Sequence, residues 1–250
     1  MMEAGADKIW AEDSGGSGPT LVLLHEHVAD SRMWDPVWPQ LTEAYRAIRY
    51  DVRGFGRSPA PTEEYSLLLD LLAVLDHFGI EQAYFAGCSG GGGTIIDLAL
   101  AEPGRVRSLV LLCPGISGYD WPDEPELDAE FDARIAGGDE DALVDLCVRL
   151  WGAAGPDPFV TDLARSAVKA FPGQRFQRPD PPSFDRLDEI TAPSVIMVGD
   201  RDRAALIESN EQAAARIPGC ALIRMPGVDH YPTVRDPAKV LDTIRSYCPA

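Results

Sequence analysis

The feature that most restricts this chain is a repeated alternation of short, solidly apolar runs with stretches whose apolar residues recur at helical spacing. The runs fall at residues 20–25, 47–51, 83–88, 108–113, 194–199 and 221–225, each bounded by turn-forming residues. Runs apolar throughout belong to strands covered on both faces, as in a parallel sheet. The helical stretches fall at residues 63–78, 91–101, 204–217 and 237–247, the last two stopped by Pro218-Gly219 and Pro249. Strand and helix taking turns predicts an α/β fold, a mostly parallel, twisted sheet with helices on both faces and right-handed crossovers. Residues 8–12, a Gly/Ser turn at 14–18 and the run from Thr20 predict an antiparallel hairpin leading into that sheet.

Between Ser117 and Asp188 the alternation stops. Residues 126–135, 140–151 and 158–171 carry helical spacing, separated by Gly137-Gly138 and Gly155-Pro156. The expected organisation is a core from residues 1–117 and 187–250, with residues 118–186 inserted as a helical cap where such enzymes commonly carry a lid. From Asp120 to Asp145 this insertion holds 11 acidic residues, a pattern that usually marks a solvated helix face.

Charge and cysteine usage narrow the partners. The 250 residues suffice to bury roughly 70–75% of the unfolded surface in one core. Lys+Arg 22 against Asp+Glu 40 gives a formal net charge of -18, which repels phosphate backbones and anionic headgroups. Nucleic acid and membrane are therefore excluded as expected partners, and a small-molecule substrate with a monomeric or homodimeric protein is the expectation. The N-terminus has no basic segment followed by an apolar one, and no apolar run approaches a membrane span, so a cytoplasmic location is expected. Cys88, Cys113, Cys147, Cys220 and Cys248 are odd in number and widely spread, the pattern of free thiols; neither a metal nor a cofactor is expected.

Gly87-Cys88-Ser89-Gly90-Gly91 fits G-x-S-x-G between an apolar run and a helical stretch. A side chain at the tip of a sharp strand-to-helix turn brings two backbones together, and flanking glycines avoid the clash. Ser89 would stand exposed there, with the Gly90 amide at the helix start as one oxyanion donor. A serine needs a base, and the histidines are His25, His27, His77 and His230. His77 ends a helical stretch, where it complements the helix dipole. His230 follows the last strand, at the same sheet edge as Ser89. Asp200 and Asp202 follow the strand before it and offer the orienting carboxylate.

These features resemble the α/β-hydrolase superfamily, in its compact branch with a helical cap. The resemblance covers about residues 8–118 and 187–248. It rests on Leu23-Leu24-His25, on Asp51-Val52-Arg53-Gly54-Phe55-Gly56-Arg57-Ser58, on Gly87 to Gly91, and on Gly199 to Asp202 with Gly227 to His230. It implies Ser89 as nucleophile, His230 as base and Asp202 as orienting acid, with Asp200 a strand-end neighbour and Asp229 too close in sequence to reach the far ring nitrogen. By position the His27 amide would be the second oxyanion donor, while His25, Trp121 and Trp151 are candidates for the pocket wall. Relatives have glycine where this chain has Glu26; the expectation is a carboxylate turned toward solvent, with extra acid/base work as the alternative. Ala204-Ala205-Leu206 stands where many relatives have a proline after the acid. The implied function is hydrolysis of an ester, thioester or lactone of a small, largely apolar substrate through an acyl-serine. The alternatives are a lyase, cyclase or proton-transfer enzyme using His230 or Glu26, and a ligand-binding receptor.

Overall fold

The computed structural model describes residues 9–250, and among them seven strands form one sheet in the order β1-β3-β2-β4-β5-β6-β7. The strands are β1 (Ala11–Asp13), β2 (Thr20–Leu24), β3 (Arg46–Tyr50), β4 (Ala83–Cys88), β5 (Val106–Leu112), β6 (Ser194–Gly199) and β7 (Ala221–Met225). All neighbours run parallel except β1, which lies antiparallel to β3. The helices are α1 (Trp38–Ala44), α2 (Leu67–His77), α3 (Gly90–Ala101), α4 (Pro125–Gly137), α5 (Glu140–Trp151), α6 (Pro158–Ala167), α7 (Ala204–Arg216), α8 (Pro232–Arg235) and α9 (Pro237–Tyr247). Among the described residues no helix is long and apolar enough to cross a membrane.

Both faces of the sheet are covered, which is why its inner strands are apolar throughout. In β2, Val22 and Leu24 join one apolar cluster with Phe85, Leu109 and Ile95, while Leu21 and Leu23 join the opposite one with Val110, Leu112 and Trp34. The edge strand β7 alternates instead, with Leu222 and Arg224 exposed.

Three local expectations need correction. β1 does not form a hairpin with β2, because β3 lies between them. Leu21 to Leu24 are fully buried and need a strand on each side, whereas the half-buried β1 suits the edge; Lys8 lies outside the described residues. Helix α2 starts at Leu67 rather than Glu63. The Ser66 hydroxyl accepts from the Leu69 amide as its N-cap, and Tyr65 is held extended by backbone bonds with Phe176 and Arg178. The third inserted helix stops at Ala167 and continues as 3-10 turns from Val168 to Phe176, since Pro172 disfavours the α conformation just before it.

Candidate active site

The loops that leave β2, β4, β6 and β7 meet at the carboxyl edge of the sheet, and the inserted helices α4 to α6 follow β5 at that same edge. Ser89 links β4 directly to α3 at φ 49° and ψ -120°. Left-handed backbone costs a residue with a Cβ about 1–2 kcal/mol, so something must hold it there. The Ser89 amide donates to Leu112 O, and its carbonyl accepts from the Gly93 and Gly115 amides, each at 2.9 Å. A Cβ on Gly87 would lie 2.6 Å from Gly91 O, and one on Gly91 2.6 Å from His25 O. Strand, helix and the loop after β2 can therefore approach one another only over glycine. Gly90, the first residue of α3, has an amide without an intrahelical acceptor. Ser89 opens onto a cavity of about 560 Å³ whose walls include His27, Phe131, Trp151, Phe171 and His230.

His230 Nδ1 lies 2.7 Å from Asp202 Oδ2, and both side chains are buried. Asp202 Oδ1 accepts from the Arg203 amide at 2.8 Å, which fixes the carboxylate although no proline follows it. Burial opposes an imidazolium, but Asp202 and, after it, Cys113 together outweigh it, so His230 titrates above the ordinary histidine value. The neighbouring acids are occupied elsewhere. Asp200 accepts from the Gly227 amide at 2.7 Å. Asp229 pairs with Arg235 at 2.8 Å and accepts from the Ala154 amide at 2.9 Å. The His230 amide donates to Trp151 O at 3.1 Å, so the end of α5 anchors the loop that carries the ring. Among the described residues no hydrogen bond joins Ser89 Oγ to the imidazole, although both line the same cavity; such contacts commonly tighten only when substrate is bound.

The expectation that Glu26 faces solvent is overturned, because its side chain is fully buried. The cause lies one residue earlier: His25 Nδ1 bonds Glu26 O at 2.7 Å and Nε2 accepts from the Val52 amide at 2.9 Å, which pins the His25 ring toward the loop after β3. Glu26 is left to point the other way, beneath the serine turn. Its Oε2 accepts from Cys88 Sγ at 3.1 Å and lies 3.9 Å from His230 Nε2, while Oε1 has no partner. Burial raises the Glu26 pKa to about 8, with the nearby Cys113 and Asp202 adding to the rise and His230 opposing it. His25 is thus a strut and, among the described residues, is not part of the lining of the main cavity at Ser89 or of the two adjoining it, contrary to the sequence expectation.

His27 contributes its ring as well as its backbone. A Cβ at Gly90 would come within 2.7 Å of that imidazole, which also stacks on Phe55 at 5.6 Å between centroids. Its Nε2 has no partner, and burial with the neighbouring His25 pushes the pKa down to about 4, so the ring is neutral. Trp151 lies with its ring centroid 6.4 Å from that of His230. Trp121, 40% exposed, lines an adjoining cavity that also reaches Ser89. The sequence reading missed Asp128, Phe131, Asp132 and Ile135, which line the main cavity from one face of α4. Their i, i+3, i+4, i+7 spacing was the available signal. It also missed Phe171 on the cavity wall, and the thiols of Cys88 and Cys113, 3.5 Å apart and buried under the turn. Cys113, Asp202 and His230 each present a ligand atom within 4.8 Å of the others. The 2.7 Å between Asp202 and His230 is hydrogen-bond distance and shorter than the roughly 3.3 Å that separates two ligand atoms of a tetrahedral site with bonds of about 2 Å, so these residues fit a hydrogen-bonded pair better than a tetrahedral metal site.

Residues 16–243 match the alpha/beta hydrolase family. The chain belongs to that family. The match spans about half the length of the first curated relatives, including a fluoroacetate dehalogenase from Burkholderia sp, 30% identical over 166 residues, 58% of this chain and 55% of that protein. A pimeloyl-(acyl-carrier protein) methyl ester esterase from Methylococcus capsulatus is 27% identical over 88% of this chain and 91% of its own. Among solved structures, the enol-lactonase from Burkholderia xenovorans LB400 superposes with a TM-score of 0.82 at 22% identity, covering 96% of this chain and 95% of that one. At that identity the likeness establishes the fold.

Proposed function

We propose that this alpha/beta hydrolase cleaves an ester, thioester or lactone of a small substrate through an acyl-Ser89 intermediate, without a cofactor. The observation that carries the reading is the left-handed Ser89 turn opening onto the same cavity as His230, whose far nitrogen bonds Asp202. In this reading His230 takes the Ser89 proton as Oγ attacks the carbonyl, and returns it to the leaving oxygen or sulfur. Asp202 holds the ring and stabilises the imidazolium. The Gly90 amide and the His27 amide serve the oxyanion, and removing one such donor commonly costs about 10²–10³ in kcat. Phe131, Trp151 and Phe171 supply apolar walls, carried by residues 118–186, which act as the cap over Ser89. The curated relatives that cleave esters support hydrolysis as the reaction class.

A second reading, proton transfer without acylation, is favoured by one feature, the buried Glu26 carboxyl 3.9 Å from His230 Nε2. Labelling with a fluorophosphonate, read by intact mass, separates the two. Rapid single labelling lost in Ser89→Ala supports acyl transfer. An unlabelled wild type with turnover surviving in Ser89→Ala supports proton transfer instead.

A further inference from the structure

The cavity in front of Ser89 combines two features that neither the fold nor the nucleophile requires. Its walls are aromatic, with Trp151 and Phe171 flanking Phe131 at centroid distances of 5.9 and 6.3 Å. Its rim is acidic, because α4 turns Asp128 and Asp132 toward the cavity on the same face as Phe131. Nearby bases are committed elsewhere: Arg134 and Arg149 both pair with Glu130. Among the described residues neither Asp128 nor Asp132 has an ion-pair or side-chain hydrogen-bond partner. The adjoining cavities that reach Ser89 add Asp123, Glu124, Asp97 and Asp180. Among the described residues, the cations lining the three are Arg203, which is paired with Glu124 and sits 5.9 Å from the Trp151 ring centroid, and the His230 ring when protonated, which is paired with Asp202. Trp151 thus already carries one cation at its ring.

We propose that the acyl-serine site selects a substrate bearing a quaternary ammonium group, seated against Phe131, Trp151 and Phe171 beneath Asp128 and Asp132. This rests on the hydrolase reading and names its substrate class. A large, weakly hydrated cation gives up little solvation on entering an aromatic cavity and gains from the ring quadrupoles. A primary ammonium would need hydrogen-bond acceptors at close range, and both aspartates are exposed at the rim rather than buried in the wall. A carboxylate or phosphate on the substrate would meet this acidic lining without a free basic partner.

The test uses pairs of esters that differ only in exchanging nitrogen for carbon. Acetylcholine and 3,3-dimethylbutyl acetate carry the group on the alcohol side. Ethyl 4-(trimethylammonio)butanoate and ethyl 5,5-dimethylhexanoate carry it on the acyl side. In at least one pair the cationic member should exceed its isostere at least tenfold in kcat/KM. That ratio should fall severalfold in Asp128→Asn/Asp132→Asn, and shrink in high salt as screening weakens charge at the rim. Ratios near one in both pairs, or a ratio unmoved in the double variant, overturn the proposal. Binding of choline against 3,3-dimethylbutan-1-ol, followed by tryptophan fluorescence, reads the same preference without turnover. If no ester is cleaved in a Ser89-dependent way, the hydrolase reading fails while this comparison still decides: choline bound at least tenfold more tightly supports the cation site, and equal or weaker binding refutes it.

Discussion

Replacing Glu26 by Gln should make the protein more stable, and increasingly so as pH rises. Folding takes this carboxyl from water to a site of zero exposure with one oxygen unpartnered, which raises its pKa from 4.5 to about 8. Between those values the folded chain keeps a proton that the unfolded chain has released. The contribution of that protonated carboxyl is therefore fully present below pH 4.5 and is lost as pH climbs toward 8. Integrating the linkage from pH 5 to pH 8 gives a loss of about 3–4 kcal/mol in the wild type, which the uncharged glutamine does not suffer. For a chain of this size that is a gap in Tm growing by about 7–14 °C across the interval. Urea or thermal unfolding of both proteins at pH 5, 6, 7 and 8 measures it, and titrations of groups remote from Glu26 cancel in the difference. Glutamine can still accept from Cys88 Sγ, so the packing is largely preserved. Stability curves that stay parallel within about 1 kcal/mol would show that the pocket accommodates the charge, and would refute the reasoning.

Further outcomes follow from the same geometry. Ser89→Ala should cost at least about 10³-fold in ester turnover, measured as kcat, with Asp202→Asn also strongly impaired because the ring loses the partner that orients it. The acid limb of the pH–rate profile should lie above the ordinary histidine value, since His230 must be neutral to accept a proton and Asp202 holds it charged to higher pH; a limb at or below 6.5 would contradict this. On the alkaline side, a second inflection should appear near pH 8 as Glu26 ionises 3.9 Å from His230 Nε2, and Glu26→Gln should remove it. Gly91→Ala should destabilise the fold by about 1–3 kcal/mol, read by denaturant titration, because a Cβ there would lie 2.6 Å from His25 O and 2.8 Å from Leu24 C, both backbone atoms.

Period and punctuation made most of the sheet legible. Buried strands such as β4 and β6 announce themselves as apolar runs, and the serine turn by its glycines. The place of β1 was hidden because pairing depends on which strand still has a free edge, a property of the assembled sheet rather than of neighbouring residues. At the candidate site, chain order and strand direction brought His230 and the acids after β6 to one edge, while the preference for Asp202 over Asp200 came from the family resemblance. The orientation of Glu26 did not, because it is decided by where the His25 ring finds its two hydrogen bonds, a contact made across to Val52 on another loop. The cavity face of α4 was visible as spacing, yet its aspartates resembled ordinary solvated charge until Phe131 showed which way that face points.

The bonds from His230 to Trp151 and from Ala154 to Asp229 tie the loop after β7 to the middle of the insertion. Core and insertion are therefore not interchangeable parts. An exchange of residues 118–186 with the corresponding segment of a relative would retain Ser89 and its glycines yet release the two backbone anchors that set the height of the imidazole. Diversification of this scaffold by recombination is thus constrained at the joint after α5, and new specificities are reached more readily by single replacements along α4, which holds neither anchor.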